Sequence, residues 1–425
     1  MNLSRYYWVI SMNNGKTPKI RFKGFKEDWV QRKFLDLTET RRGLTYKPSD
    51  ICENGVRVLR SSNIEEDKFI IRSDDIFVSK KAINIDYVKN GDILITAANG
   101  SSRLVGKHTV IMDIADKSTV HGGFMLLAST NEPYFINASM NSSWYKKFIN
   151  LFVVGGNGAI GNLNKNDLDM QEFMVPSKIE QHKIGTFFKH LERLITLHQR
   201  KCDMLKNVKK FLLEKLFPKS GSSIPDVRFN GFTEDWVQRK LEELYVKAGS
   251  GGTPLSSNRN YYNGNIPFLS ITDVTNSDGY IYKTEKYITN DGLNNSAAWI
   301  VPCGSISLAM YASVGKVAIL KDNIATSQAF YNMVFDDEIS KNYVYHYLKK
   351  MEITNSWDEF ISKGTQANLN AETIKNYKIY LPISNEERQK YSELLFAINN
   401  LITLHQRKVE KLEKIKKSLL KNMFL

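Results

Sequence analysis

Thirteen residues, Arg21-Phe22-Lys23-Gly24-Phe25-Lys26-Glu27-Asp28-Trp29-Val30-Gln31-Arg32-Lys33, return 207 positions later as Arg228-Phe229-Asn230-Gly231-Phe232-Thr233-Glu234-Asp235-Trp236-Val237-Gln238-Arg239-Lys240, with eleven identities. A second block, Ile195-Thr196-Leu197-His198-Gln199-Arg200-Lys201, returns unchanged as Ile402 to Lys408 at the same offset. The chain is therefore a tandem duplication, and each half must use the same frame. Between the repeated blocks lie two diverged inserts, about 34–176 and 241–382.

After Pro176 the pattern turns helical. Seam residues fall at Ile184, Phe188, Leu191, Ile195, His198, Cys202, Leu205 and Leu212, in alternating steps of four and three interrupted at Lys209. The second copy reads Tyr391, Leu395, Ile398, Ile402, His405, Val409, Leu412 and Leu419, with Lys416 at the interruption. Matching seams predict two long helices packed on each other, each a rod of roughly 55–60 Å at 1.5 Å per residue. Pro176-Ser177 and Pro382-Ile383-Ser384-Asn385 open them, and Pro218 closes the first. His198 and His405 occupy equivalent seam positions. With no carboxylate or second histidine at helical spacing, they read as hydrogen-bonded seam residues and not as metal ligands.

The inserts carry short apolar runs broken by Gly, Asn and Asp: Val56–Leu59, Asp92–Thr96, Val105–Met112, Phe268–Ile271, Ser305–Ala309 and Val314–Leu320. These predict strands, with short helices at Tyr134–Leu151 and Ser340–Ile353. Leu59-Arg60-Ser61-Ser62-Asn63-Ile64 corresponds to Leu269-Ser270-Ile271-Thr272-Asp273-Val274, and Gly106-Lys107 to Gly315-Lys316. One fold with two surfaces is expected. Phe22, Phe25 and Trp29, like Phe229, Phe232 and Trp236, have helix-like spacing and read as core. A residue identical in both halves cannot make the halves differ, which argues against a base-stacking role for the tryptophans.

The net charge of +14 suggests a polyanionic partner. Lys178–Phe217 and Asn385–Leu425 contribute +6 and +4 of it. Cys52, Cys202 and Cys303 have neither pairing arithmetic nor metal spacing, as expected of thiols in a reducing cytosol. No apolar run approaches the roughly 18 residues of a membrane span.

Catalytic motifs are missing. Gly156-Asn157-Gly158-Ala159-Ile160-Gly161 matches a dinucleotide fingerprint, but no long amphipathic helix follows, so it reads as a glycine-rich loop. Gly100–Lys107 misses the phosphate-loop pattern, since His108 stands where Ser or Thr should be. No adjacent prolines, nuclease carboxylate set or Cys/His cluster appears. No catalytic, cofactor-binding or metal-binding residue is assigned.

This layout, Arg-Phe-x-Gly-Phe-x-x-x-Trp before a variable segment and a long helix carrying Leu-Ile-x-Leu-His-Gln-Arg-Lys, twice over, resembles the specificity subunit of type I restriction–modification systems. It covers nearly the whole chain from about Thr17. The resemblance implies an α+β architecture with two mixed α/β target recognition domains joined by two long antiparallel coiled-coil helices in a pseudo-twofold repeat. It divides the chain into a tail (1–16, with Met12 a second candidate initiator), recognition domain 1 (17–177), spacer helix 1 (178–217), linker (218–223), recognition domain 2 (224–383) and spacer helix 2 (384–425). Each domain would read one half of a split double-stranded DNA site, while the helices seat methyltransferase (M) subunits, two of them, with restriction/translocase (R) subunits completing a cytoplasmic complex. S-adenosylmethionine, ATP and magnesium would belong to those partners. If both readers face one side of the duplex, their footprints lie about 10 bp apart.

Base-reading candidates are Arg60, Ser61, Ser62, Asn63, Asn99, Ser101, Ser102 and Arg103 in the first insert. In the second they are Ser270, Thr272, Asp273, Tyr311, Ser313, Lys363, Thr365 and Gln366. Arginine can fork onto guanine and Asn or Gln onto adenine. A stand-alone DNA-binding or scaffold protein without an enzyme partner is the alternative reading. A methyl-donor enzyme using Gly156–Gly161 is the third.

Overall fold

Identical blocks fold alike. In the computed structural model, which describes residues 8–10, 16–153, 161–219, 221–361 and 368–425, Val30–Lys33 pairs antiparallel with Glu172–Val175, so that the two ends of the first insert are zipped together. Val237–Lys240 does the same with Lys378–Leu381. Drawing the ends of a long insert together costs closure entropy that grows only slowly with length, so a short ladder can hold a large insert.

Each clasp is locked to a long helix by the repeated arginine. Arg21 forks onto Glu180 through Nε and Nη2, both at 2.8 Å, and both side chains are buried. Arg228 forks onto Glu387 at 2.7 and 2.9 Å. Each glutamate sits in the first turn of its helix, where the helix dipole favours a negative charge. Lys183 lies over Phe22 and Phe25, and its counterpart Lys390 over Phe232. Trp29 and Trp236 are buried, as core residues should be. The segment around them is not helical, however. Ile20–Phe22 is a strand paired with Trp8–Ile10, inside the stretch expected as a tail, and the chain then turns at Gly24. Positive φ at Gly24 (104°) and Gly231 (94°) explains why glycine recurs there.

The spacer helices run Lys178–Lys215 and Asn385–Asn422, 38 residues each. They are antiparallel: Phe188 meets Phe424, Glu192 meets Lys416, His198 meets His405, and Phe217 meets Tyr391. The Nδ1 atoms of His198 and His405 lie 2.9 Å apart, so one ring donates to the other. Because the two histidines are equivalent in the duplication, the contact is isologous.

Two compact units result, Met1–Leu197 with Lys408–Leu425, and His198–Arg407. Each therefore contains the start of one long helix and the end of the other. In the first, Met423 and Phe424 join Trp29, Phe135 and Phe188 in the core. In the second, their counterparts Leu216 and Phe217 join Trp236, Tyr343 and Tyr391.

The inserts share one topology. A four-stranded antiparallel sheet in the first has the order His108–Val110, Ile93–Thr96, Met125–Ser129, Glu39–Arg42. Its counterpart has the order Val317–Leu320, Ile306–Ala309, Phe330–Val334, Lys247–Ser250, with Tyr280–Ile281 added at one edge. A second sheet runs Thr119–His121, Ile51–Leu59, Ile76–Val78. Ile324–Thr326, Tyr262–Leu269 and Lys286–Ile288 repeat it, with Ile300–Val301 as an extra edge. Both long strands carry an irregularity at the same place, Ile51/Val56 and Tyr262/Ile266. The helix expected over Tyr134–Leu151 is two helices, Pro133–Met140 and Ser143–Phe152, because the chain breaks at Asn141-Ser142. Glu338–Ile353 is continuous, as its spacing predicts.

Candidate nucleic-acid interface

Where the strand Ile51–Leu59 ends, the chain enters a single turn at Ser61–Asn63. The Arg60 amide donates to Asn63 Oδ1 at 2.8 Å, which starts that turn. The buried Asn63 amide donates to the Ile70 carbonyl (3.0 Å) and to Asp75 Oδ1 (2.7 Å). Its polar atoms are thus committed inside the fold. In the second insert Asp273 takes the same position and accepts the Ser270 amide at 2.8 Å, the Ser270 hydroxyl at 2.6 Å and the Glu285 amide at 3.0 Å. These two candidates are the cap of a turn in each half.

Arg60, Ser61 and Asn99 come together. They line a cleft of about 710 Å³ with Thr45, Tyr46 and Phe124. Asn99, on a short strand paired with Gly161-Asn162, donates to the Ser61 hydroxyl at 3.0 Å and accepts the Ser101 amide at 2.9 Å. Arg60 Nη2 donates to the Asp74 carbonyl at 3.3 Å, while its buried Nε has no partner among the described residues. Ser62 lies beside it, its carbonyl accepting from Arg72 at 2.8 Å. Ser101, Ser102 and Arg103 are exposed around the adjoining turn Ser102–Leu104. Lys47, Lys80 and Lys81 are exposed near the cleft wall at Pro48 and Ile51.

A close approach of backbones shapes the floor. A Cβ on Gly43 would run into the Gly122 carbonyl, and one on Gly251 into that of Thr326. His121, next to Gly122, is pushed down to about 4 by burial, so the ring is neutral and Nε2 donates to the Arg41 carbonyl at 3.3 Å.

The same hydrogen-bond skeleton registers the second insert on the first. The Leu163 amide donates to the Ala97 carbonyl and the Leu369 amide to that of Met310. Ala97 in turn donates to Phe124, and Met310 to Ala329. Leu44 donates to His121, and Gly252 to Thr326. Ser270 therefore stands for Arg60, Gln328 for Gly123, Ala329 for Phe124 and Thr253 for Thr45. Thr253 donates to Gln328 Oε1 at 2.6 Å. Tyr311, Ser313 and Thr272 are exposed on the same unit, with Ser313 at φ 76°. Lys363, Thr365 and Gln366 lie outside the described residues, as does most of Gly156–Gly161.

The spacing of polar residues did not point to Phe124, Tyr46, Thr253 or Gln328. Phe124 is 71% exposed, unusual for so large an apolar ring on a polar rim. The Gly-Gly pairs 122–123 and 251–252, which mark backbone close approach, were the available signal.

Compared with known proteins, the description Type I restriction modification DNA specificity domain matches twice, over residues 26–207 and 233–414. The chain belongs to this specificity family. A DNA sequence-specificity role follows from that membership. Among relatives, the MjaX specificity subunit of Methanocaldococcus jannaschii, described as putative, is 26% identical over 409 residues, covering 93% of this chain and 92% of that one. The MjaIX specificity subunit of the same organism is 32% identical over 193 residues, 45% of this chain and 44% of the relative. A type I restriction–modification S subunit from M. genitalium shares the fold of the specificity chain, with a TM-score of 0.61 at 14% identity over 96% of this chain and 99% of that one. Among the described residues, no helix of the specificity chain is long and apolar enough to cross a membrane.

Proposed function

We propose that each insert reads one half of an asymmetric, bipartite double-stranded DNA site, and that the chain positions cytoplasmic partner subunits on that site without catalysing a reaction itself. One observation carries the reading: the same clasp and the same hydrogen-bond skeleton hold surfaces whose side chains differ, Arg60 against Ser270, Phe124 against Ala329, Gly123 against Gln328. A shared scaffold presents two different edges to the bases, and unlike edges select unlike half-sites. S-adenosylmethionine, ATP and magnesium serve the methyltransferase (two copies) and restriction subunits. The exposed lysines and arginines supply the phosphate contacts that give affinity, and with them a steep loss of binding as salt rises.

In the first cleft Arg60 is the base reader, with Ser61, Asn99 and Phe124 beside it. Phe124 suits the methyl group of a thymine. In the second insert, Ser270, Thr272, Tyr311, Thr253 and Gln328 take that part. Arg60→Ala, assembled with the methyltransferase subunits, is expected to relax the methylated sequence at one position of one half-site, at a cost of about 1–3 kcal/mol in discrimination. Mapping methylated bases checks it. An unchanged sequence and unchanged affinity would remove Arg60 from the reading surface.

A further inference from the structure

The duplication is broken at one contact between the long helices. In the first unit the Lys416 ammonium meets the Glu192 carboxylate at 3.3 Å. At the matching positions in the second unit stand Lys209 and Asn399. There the carboxylate is gone.

Both side chains line a cleft of about 690 Å³ in that unit, together with Lys206, Arg407, Tyr282 and Leu404. The Asn399 Nδ2 group is buried and has no hydrogen-bond partner among the described residues. Burial, and then the neighbouring Lys349 ammonium, pushes Lys209 down to about 8. The carboxylates of Glu352 and Asp278 pull the other way and offset this only in part. Glu352 is held by Lys349 at 2.7 Å, and Asp278, on the cleft wall, faces the Thr403 hydroxyl at 3.5 Å. A half-buried cation and an amide with its hydrogen unclaimed thus face one cavity, where the sister unit supplies a carboxylate from its own chain.

We infer that this cleft docks an acidic side chain of a partner protein, whose carboxylate completes with Lys209 and Asn399 the pair that Glu192 completes with Lys416. The carboxylate would accept from both the ammonium and the amide, charge-assisted bonds of the strong kind. Lys206 and Arg407 add attraction at the rim, and Leu404 and Tyr282 offer apolar contact for the flanking residues of the partner. Asp278 on the wall disfavours a dianionic phosphate more than a single carboxylate. This inference goes beyond the reading of the inserts as DNA readers and does not depend on it.

The test is fluorescence anisotropy on the full-length chain with a labelled peptide of alternating glutamate and leucine, beside its glutamine counterpart. The glutamate peptide is expected to bind about tenfold more tightly, the size of one charge-assisted contact. Asn399→Glu, which supplies the carboxylate from within as Glu192 does, should abolish that preference while raising the thermal midpoint, so loss of binding is not loss of fold. Lys209→Met should also abolish it. Equal binding of the two peptides, absence of binding by both, or a preference surviving in Asn399→Glu would overturn the proposal. Competition by duplex DNA that is lost in Lys209→Met would assign the cleft to backbone phosphates and overturn it as well.

Discussion

Arg21→Ala is expected to destabilise its unit by about 3–5 kcal/mol, the cost of leaving a buried charge without its partner. The Glu180 side chain is 0% exposed and that of Arg21 6%, and both guanidinium bonds are 2.8 Å. Without the arginine the buried carboxylate loses both of its guanidinium bonds. The helix N-terminus offers it some compensation, of a fraction of the loss. Arg228→Ala should cost less, because the Trp236 indole also donates to Glu387, at 3.3 Å. Trp29, the matching residue, has no partner for its indole nitrogen among the described residues. Urea unfolding, with hydrogen exchange to locate the change at Lys178–Leu197 or at Asn385–Arg407, separates the two effects. Equal losses, or losses within the range of surface ion pairs, would mean that the fork does not hold the clasp to the helix.

The frame was legible because identity between halves maps onto identical contacts. Arg21 and Arg228, Glu180 and Glu387, Phe22 and Phe229 repeat at the same offset, and so do their forks and rings. The seam was equally legible: its alternating steps place Leu191, Ile195 and Cys202 on the buried stripe, and the equivalent seam residues His198 and His405 hydrogen-bond to each other in the structure. Spacing misled where a turn imitates a helix. Phe22, Phe25 and Trp29 converge because the chain reverses at Gly24, not because it coils.

The reading surfaces were far less legible. Polar composition named Asn63 and Asp273 along with Arg60 and Ser270, although a polar side chain three residues past the start of a turn is what capping requires. Nothing local announces Phe124 or Gln328, since their place depends on strand pairings across tens of residues. Within each insert the sequence predicts strands but not which edge faces a ligand.

The largest functional effect should come from exchanging an insert. Both ends of residues 34–176 lie at the clasp, where Phe34 follows Lys33 and Val175 pairs with Val30. A foreign insert from another family member brings its own counterpart of Glu172–Val175 to pair with Val30–Lys33, and the Arg21–Glu180 fork stays outside the exchange, while every cleft residue of the first unit is replaced. The second unit keeps Ser270, Tyr311, Thr253 and Gln328 untouched. Sequencing the methylated bases in cells that express the chimera with its methyltransferase subunits measures the outcome directly. The account predicts a new sequence in one half-site and the original sequence, base for base, in the other. A change in both halves, or in neither, would contradict it.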